Sequence, residues 1–398
     1  MKAYVVLSNK QIEPFGDHPR DCLITNRKLG DLQQETLQEL GLDLRTIEDA
    51  SQISDNNEYI ILGDNLFFTK KVLQEFIERS HEIKANTICA LKPGIVTLRS
   101  VVTTQDVQIH PDYVAYNLKY VPANNVTSET VPVIINADDL SEGVLMPLHM
   151  TGERKYLVPI TEKLICQIDH WSNLWAANIA SVLSVGAKVK NAPKLKLLSM
   201  ALKARSTNQW RVLQQLNKIG KNCDIHPTAY IEGSTIGDGT VVAAGAIIRE
   251  SVVGDGVNIL NNVTIDCSVI GDQCFVGNSS RTQYSVLYPG TFFISKGISI
   301  SMTGRDSFLG GGVTLTDFRF DGQNIIVMKD NNPIDTGCRL LGSCIGHRVY
   351  LAAGSVVSPG RTVPNDLRLA PKEMPIIRKF STDGEVEGYQ IIDQHTTN

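Results

Sequence analysis

No run of apolar residues approaches the roughly eighteen that a helix needs to cross a bilayer, so no membrane span is expected. The apolar run after Met1 is too short for the core of a secretory signal and reads as a first strand. Eight cysteines (Cys22, Cys89, Cys166, Cys223, Cys267, Cys274, Cys338, Cys344) form no Cys-x-x-Cys pair, which leaves no common zinc or redox motif. Scattered thiols of this kind are small apolar packers in a reducing compartment. The expected location is cytoplasmic, and the Asn-x-Ser/Thr sequons at Asn125, Asn262 and Asn278 read as chance. Acidic residues are absent between Asp169 and Asp224, while nine basic ones fall there: Lys188, Lys190, Lys194, Lys196, Lys203, Arg205, Arg211, Lys218 and Lys221. Such a segment can meet phosphates, an acidic membrane surface or nucleic acid, or be a connector helix docked on acidic neighbours. From Lys188 to Lys221 the one Phe, Tyr or Trp is Trp210 and no nucleic-acid motif accompanies it, so nucleic acid is not an expected partner.

With 398 residues the chain is long for one core, and two domains are expected. The second is marked by an internal repeat. Ile236-Gly-Asp-Gly, Val253-Gly-Asp-Gly and Ile270-Gly-Asp-Gln recur at 253 − 236 = 17 and 270 − 253 = 17 residues. Aliphatic residues step five or six apart through Ile225, Ile231, Ile236, Val242, Ile248, Val253, Ile259, Ile265, Ile270 and Val276. A second run follows through Leu340, Ile345, Leu351, Val357 and Val363. Helical periodicity would place them at i+3 and i+4 instead. Three short strands per coil, one inward aliphatic per face and Gly, Asn or Asp at the bends make a triangular β-helix over residues 219–372. The period loosens at 277–335, where 323–335 read as a loop projecting from the prism.

Gly310-Gly-Gly-Val-Thr-Leu-Thr-Asp-Phe-Arg-Phe-Asp-Gly322, Leu341-Gly-Ser343 and Leu351-Ala-Ala-Gly-Ser-Val-Val357 resemble the acetyltransferase half of bifunctional N-acetylglucosamine-1-phosphate uridylyltransferases. The resemblance implies a left-handed winding, a homotrimer with sites between subunits, and acetyl-CoA or another acyl-CoA as cofactor. It also implies acceptor or cofactor contacts from Arg305, Asp317, Arg319, Ser343, Arg361, Arg368 and Lys372, the last in a Leu369-Ala-Pro-Lys372 run similar to the exit motif of acetyltransferases. The family's Asn-Tyr is replaced here by Arg319-Phe320, and the run is two residues longer.

Residues 1–185 read as α/β with a largely parallel sheet: strands at Lys2–Leu7 and within Glu58–Asn65, and helices at Gly30–Gly41, Phe68–Arg79 and Ser172–Leu183. Leu62-Gly-Asp64 and Trp171-Ser-Asn-Leu-Trp-Ala-Ala-Asn178 resemble pieces of sugar-phosphate nucleotidyltransferases. That resemblance implies nucleotide contacts, for which Lys10, Arg20 and Lys28 are the available cations, and a Mg²⁺ ligand at Asp64. The family's glycine-rich triphosphate loop is missing, since Ser8-Asn-Lys-Gln-Ile-Glu-Pro-Phe-Gly16 carries no glycine pair. A basic helical linker over 186–218 and a polar tail over 373–398 complete the organisation.

Acyl transfer from a thioester needs a base that works near pH 7. The repeats hold two histidines, His226 in the first coil and His347 in Ile345-Gly-His347. His347 resembles the hexad histidine of lipid A acyltransferases and is the candidate base; a solvated corner residue is the alternative. One imidazole there leaves no three-ligand zinc site. The expected function is an acyl-CoA-dependent transferase acting on a sugar phosphate or sugar nucleotide. A sugar-1-phosphate nucleotidyltransferase and a non-catalytic sugar-nucleotide-binding regulatory or scaffold protein stay open as alternatives.

Overall fold

Short strands stepping round a three-sided coil are what the 17-residue spacing demands, and they are present. The computed structural model describes residues 1–124, 129–138, 141–148, 152 and 154–372; the expected tail over 373–398 and the sequon at Asn125 lie outside them. Strands from Lys218–Ile219 to Arg368–Leu369 stack into three sheets with parallel pairing throughout. Two sheets hold eight strands each. The third holds five up to Gly297–Ser299, and the pair Thr314–Leu315 and Val356–Val357 forms a short sheet after it.

Ile236, Val242, Ile248, Val253, Ile259, Ile265, Ile270 and Val276 are no more than 1% exposed and share one interior cluster with Ile345 and Leu351. Burying a side chain of that size stabilises by about 1.5–3 kcal/mol. Leu340 departs from the expected series: it is partly exposed and lines a cavity, while Leu341 is buried against the other domain. One column of bends uses Glu250, Cys267, Tyr284 and Ile300 at φ of 43°, 44°, 46° and 52°, where glycine, asparagine or aspartate was expected. Beside this column runs a ladder of buried serines. The amide of Ser251 donates to Ser234 Oγ (3.1 Å), Ser268 to Ser251 (3.1 Å), Ser285 to Ser268 (3.1 Å), Ser301 to Ser285 (3.3 Å) and Ser343 to Ser301 (3.2 Å). Each hydroxyl also donates to a nearby carbonyl, so a buried polar group is satisfied at every rung.

The last rung joins Ser301 to Ser343, so residues 302–342 complete one coil and add an excursion. The excursion is not the projecting loop expected for 323–335. It forms the hairpin Ile326–Lys329 with Asn332–Asp335 and folds back onto the N-terminal domain. Ile325 and Val327 are fully buried there, in the same cluster as Trp171.

In the N-terminal sheet every strand but one points the same way. Its order is Thr130–Ile135, Asn86–Leu91, Val114–Val121, Tyr59–Gly63, Lys2–Val6, Asp43–Ile47, and Val114–Val121 runs antiparallel to both neighbours. Helices Leu29–Glu39 and Lys70–Ile83 flank it. The helix Trp171–Lys190 then crosses to the prism. Its Trp171, Leu174 and Val182 share a core with Val269, Val286, Met302 and Cys344 from one outer face of the β-helix. Asn178 accepts from the Thr25 amide (2.8 Å) and donates to the Leu23 carbonyl (2.9 Å), which sets the helix against the N-terminal segment.

Truncating a prism rung tests this core. Ile265→Ala should lower unfolding free energy by about 2–5 kcal/mol, whereas Ala at the outward-facing Ile247, 37% exposed, should change it little; equilibrium denaturation distinguishes them.

Candidate functional site

Three places gather the chemistry-bearing side chains. The first is a clamp between the domains. Arg305 donates its backbone N–H to His347 Nδ1 (2.8 Å), which puts the neutral ring's proton on Nε2, facing Asp17 Oδ2 at 3.3 Å. Arg305 Nη1 lies 2.6 Å from the same Asp17 oxygen, and Phe15 stacks on the imidazole at 4.9 Å. Burial alone would raise Asp17, but hydrogen bonds from His347 and Arg305 outweigh it and hold the carboxyl below its ordinary value. His347 is 4% exposed. It is thus neither a solvated corner residue nor a base facing an open groove: both nitrogens are engaged and Phe15 covers one face. His226 is exposed and bonded to Thr228.

The second place is the edge of the N-terminal sheet. Asp64 is 1% exposed; its Oδ2 accepts from the Ser8 amide (3.1 Å) and lies 3.7 Å from Arg20 Nη1, while Oδ1 has no hydrogen-bond partner among the described residues. Lys28 reaches Asp21 instead (2.9 Å). Farther along, Asp169 is sealed from solvent and accepts from Asn65 Nδ2, the Asp106 amide and Gln167 Nε2. Lys10 pairs with Asp106 and, at 3.2 Å, with Asp169, and Lys329 from the hairpin pairs with Asp106 at 2.5 Å. Burial opposes the charge on Lys10, yet the two carboxylates raise its proton affinity overall. Among the described residues no three carboxylate, histidine or cysteine side chains converge as metal ligands. A divalent cation does not fit this edge, where an arginine and two lysines already answer the carboxylates.

The third place is a cavity of about 380 Å³. Phe67, Val144 and Tyr156 of the N-terminal domain, Trp175 and Ile179 of the crossing helix, and Ile300, Phe318 and Leu340 of the prism and excursion line it. Polar groups are few. Arg99 lies 3.8 Å over the Tyr156 ring and donates to the Leu157 carbonyl (3.0 Å). Trp175 Nε1 donates to the Tyr284 carbonyl (2.7 Å). Asp317, at the start of the excursion, has its carboxyl raised by burial, partly offset by a hydrogen bond with Ser299. An apolar chamber with a few polar groups is the common form of a small-molecule site.

The other expected contacts are scattered. Arg319 pairs with Asp321 inside the excursion, and Ser343 is a fully buried ladder rung. Arg361 reaches toward the Ile326 carbonyl (3.5 Å), Arg368 lies 4.9 Å from the Tyr350 ring centroid, and Lys372 is exposed. Only Asp317 among the expected contacts lines the cavity. Its other walls come from segments up to 273 residues apart (340 − 67 = 273), and no local motif marks them.

No protein-family model matches the chain. Over 75 residues it is 32% identical to uncharacterized acetyltransferases named YaiX from Escherichia coli K12 and from Escherichia coli strain 536. These stretches cover 19% of this chain and 33% of each relative, so the chain spans about a third of the length of the curated relatives it matches. A solved acetyltransferase-type protein of Bacillus cereus, the BC4754 gene product, aligns over 38% of this chain and 78% of its own, at 16% identity and a TM-score of 0.20.

The clamp has a pH signature. A carboxyl held low in the folded state contributes stability that is present above its unfolded value of about 3.9 and lost as pH falls through the folded value. Asp17→Asn should therefore cost about 1–3 kcal/mol at pH 7, and denaturation curves of the two proteins should converge below about pH 4.

Proposed function

We propose that the chain transfers an acyl group from acyl-CoA to a sugar phosphate or sugar nucleotide, with the inter-domain cavity receiving the acyl end. The observation that carries this reading is the cavity's position and character: an apolar chamber at the break in a hexad-repeat prism, with one carboxyl of raised proton affinity. The local identity to proteins named acetyltransferases supports the donor. The resemblance of the N-terminal segments to sugar-phosphate nucleotidyltransferases supports the acceptor class, and the left-handed winding of such prisms belongs to the same reading.

In this mechanism the acceptor oxygen or nitrogen attacks the thioester carbon. The Asp317 carboxylate takes the acceptor's proton, the carbon–sulfur bond breaks, and the CoA sulfur leaves with its electron pair. A carboxyl whose proton affinity is raised is a better base near neutral pH than an ordinary one. Arg361, Arg368 and Lys372 are the cations offered to the nucleotide phosphates of the donor. His347 acts by holding Arg305 and Asp17 together in the clamp between the domains. The prism also carries a ladder of rings on another face, Phe275, Phe292, Phe308 and Tyr350, with centroids 4.4, 5.6 and 5.9 Å apart. Phe292 and Tyr350 are 40% and 43% exposed, and we assign this ladder as the contact surface of a homotrimer.

Thiol release from a series of acyl-CoAs, measured with and without sugar phosphates and sugar nucleotides, tests the activity. Acceptor-dependent release is expected, and Asp317→Asn should lower kcat/KM by about 10²–10⁴-fold at an unchanged melting temperature. Full activity in that variant removes the base assigned here. For the assembly, sedimentation of Phe292→Asp should give a lighter species than the parent chain; equal masses would discard the ladder as the interface.

A further inference from the structure

We infer that the basic helix Lys194–Ala204 docks the protein onto an anionic phospholipid surface. The helix meets the rest of the molecule through Met200, 7% exposed, and against the helix Gln209–Gln214, which packs on the first prism coil. Its other side presents Leu195, Leu198 and Leu202, which are 79%, 57% and 69% exposed. At about 100° per residue these three lie within about 60° of arc, so they form one stripe rather than scattered apolar side chains. Trp210, 49% exposed, stands on the next helix. Single exposed leucines are ordinary on a protein surface, but three aligned on one helix are not.

Charge decides what covers the stripe. Exposed Lys194 lies along one edge and exposed Lys203 along the other, and exposed Arg205 follows at the helix end. No acidic residue occurs between Asp169 and Asp224, although the whole chain has a net charge of −4. Positive charge is therefore concentrated beside the apolar stripe. A second copy docking here would set this cationic segment against itself. Nucleic acid offers phosphates but nothing to receive three leucines. An anionic bilayer meets both: its acyl boundary takes the leucines, and its headgroups take the lysines, whose methylene stems lie along the apolar surface. The helix has 11 residues, and no helix among the described residues is long and apolar enough to cross a membrane, so it lies in the plane of the interface. The acidic neighbours expected for a connector helix do not pair with it: among the described residues, no salt bridge involves Lys194, Lys203 or Arg205. This surface is independent of the cavity and of the activity proposed for it.

The full-length chain is sedimented with vesicles of phosphatidylcholine alone or mixed equally with phosphatidylglycerol, and tryptophan emission is recorded. Binding to the mixed vesicles only, weakened by salt, is expected, with a blue shift that Trp210→Phe removes. Lys194→Gln and Lys203→Gln should each weaken binding about fivefold at low salt. Leu198→Asp/Leu202→Asp should abolish it while circular dichroism and melting temperature stay those of the parent. Absence of binding, equal binding to phosphatidylcholine alone, or retention by the leucine double variant overturns the inference. So does a stripe that only drives self-association or retains only nucleic acid.

Discussion

The constraint on which the rest depends is the registration of one coil upon the next. A two-residue strand makes few hydrogen bonds of its own, so each coil is fixed by what lies above and below it. The buried serines supply that fixation at one corner, where each hydroxyl receives the amide of the following rung. A carboxylate series does the same at another bend: the amides of Lys221, Asp238 and Asp255 donate to Asp238, Asp255 and Asp272 (2.7, 2.7 and 2.8 Å). With register held from outside the aliphatic core, the interior need only be filled. Branched side chains at five- and six-residue steps fill it.

Registration also explains how an insertion is accommodated. Residues 302–342 keep the period through Thr314–Leu315 and then leave it, yet Ser343 returns to the rung that Ser301 leaves open. The inserted hairpin is then free to adopt a structure dictated by the N-terminal domain. His170 shows the fit: its ring bonds Ser172 at 2.8 Å and the Met328 carbonyl at 3.2 Å, and burial lowers its proton affinity to a pKa of about 4. The cavity is a product of the same arrangement, since its walls are whatever the crossing helix, the strand edge and the insertion leave unfilled between them.

The sequence made the prism legible because its core is periodic and local. Ile236, Val253 and Ile270 announce themselves by spacing, and all are buried as expected. The helices Leu29–Glu39, Lys70–Ile83 and Trp171–Lys190 match their expected positions to within a few residues, apart from the last, which runs on by two turns. Pairing direction was not legible. Val114–Val121 alternates buried Tyr116, Leu118 and Tyr120 with exposed Asn117 and Lys119, which marks a strand with one open face but does not say which neighbours it runs against. The site was legible only at Asp317. His347 carried the right residue type in the right hexad, but its fate was set by Asp17, 330 residues away in sequence, and by Phe15 lying over the ring. The serine ladder was visible in principle, as serine recurring immediately before each two-residue strand of one sheet, but hydroxyls do not announce burial as isoleucine does.

Lys10 and Lys329 lie 319 residues apart (329 − 10 = 319) and hold the same Asp106 carboxylate. Neither half of the chain, taken alone, balances its own charges at that seam: without the hairpin, Asp106 keeps one ammonium, and without the sheet, Lys329 loses both its carboxylate and the Thr104 carbonyl. What looks like two modules in the order of the residues is therefore closer to one cooperative body, and its parts are not interchangeable pieces that evolution could reshuffle without first mending the join.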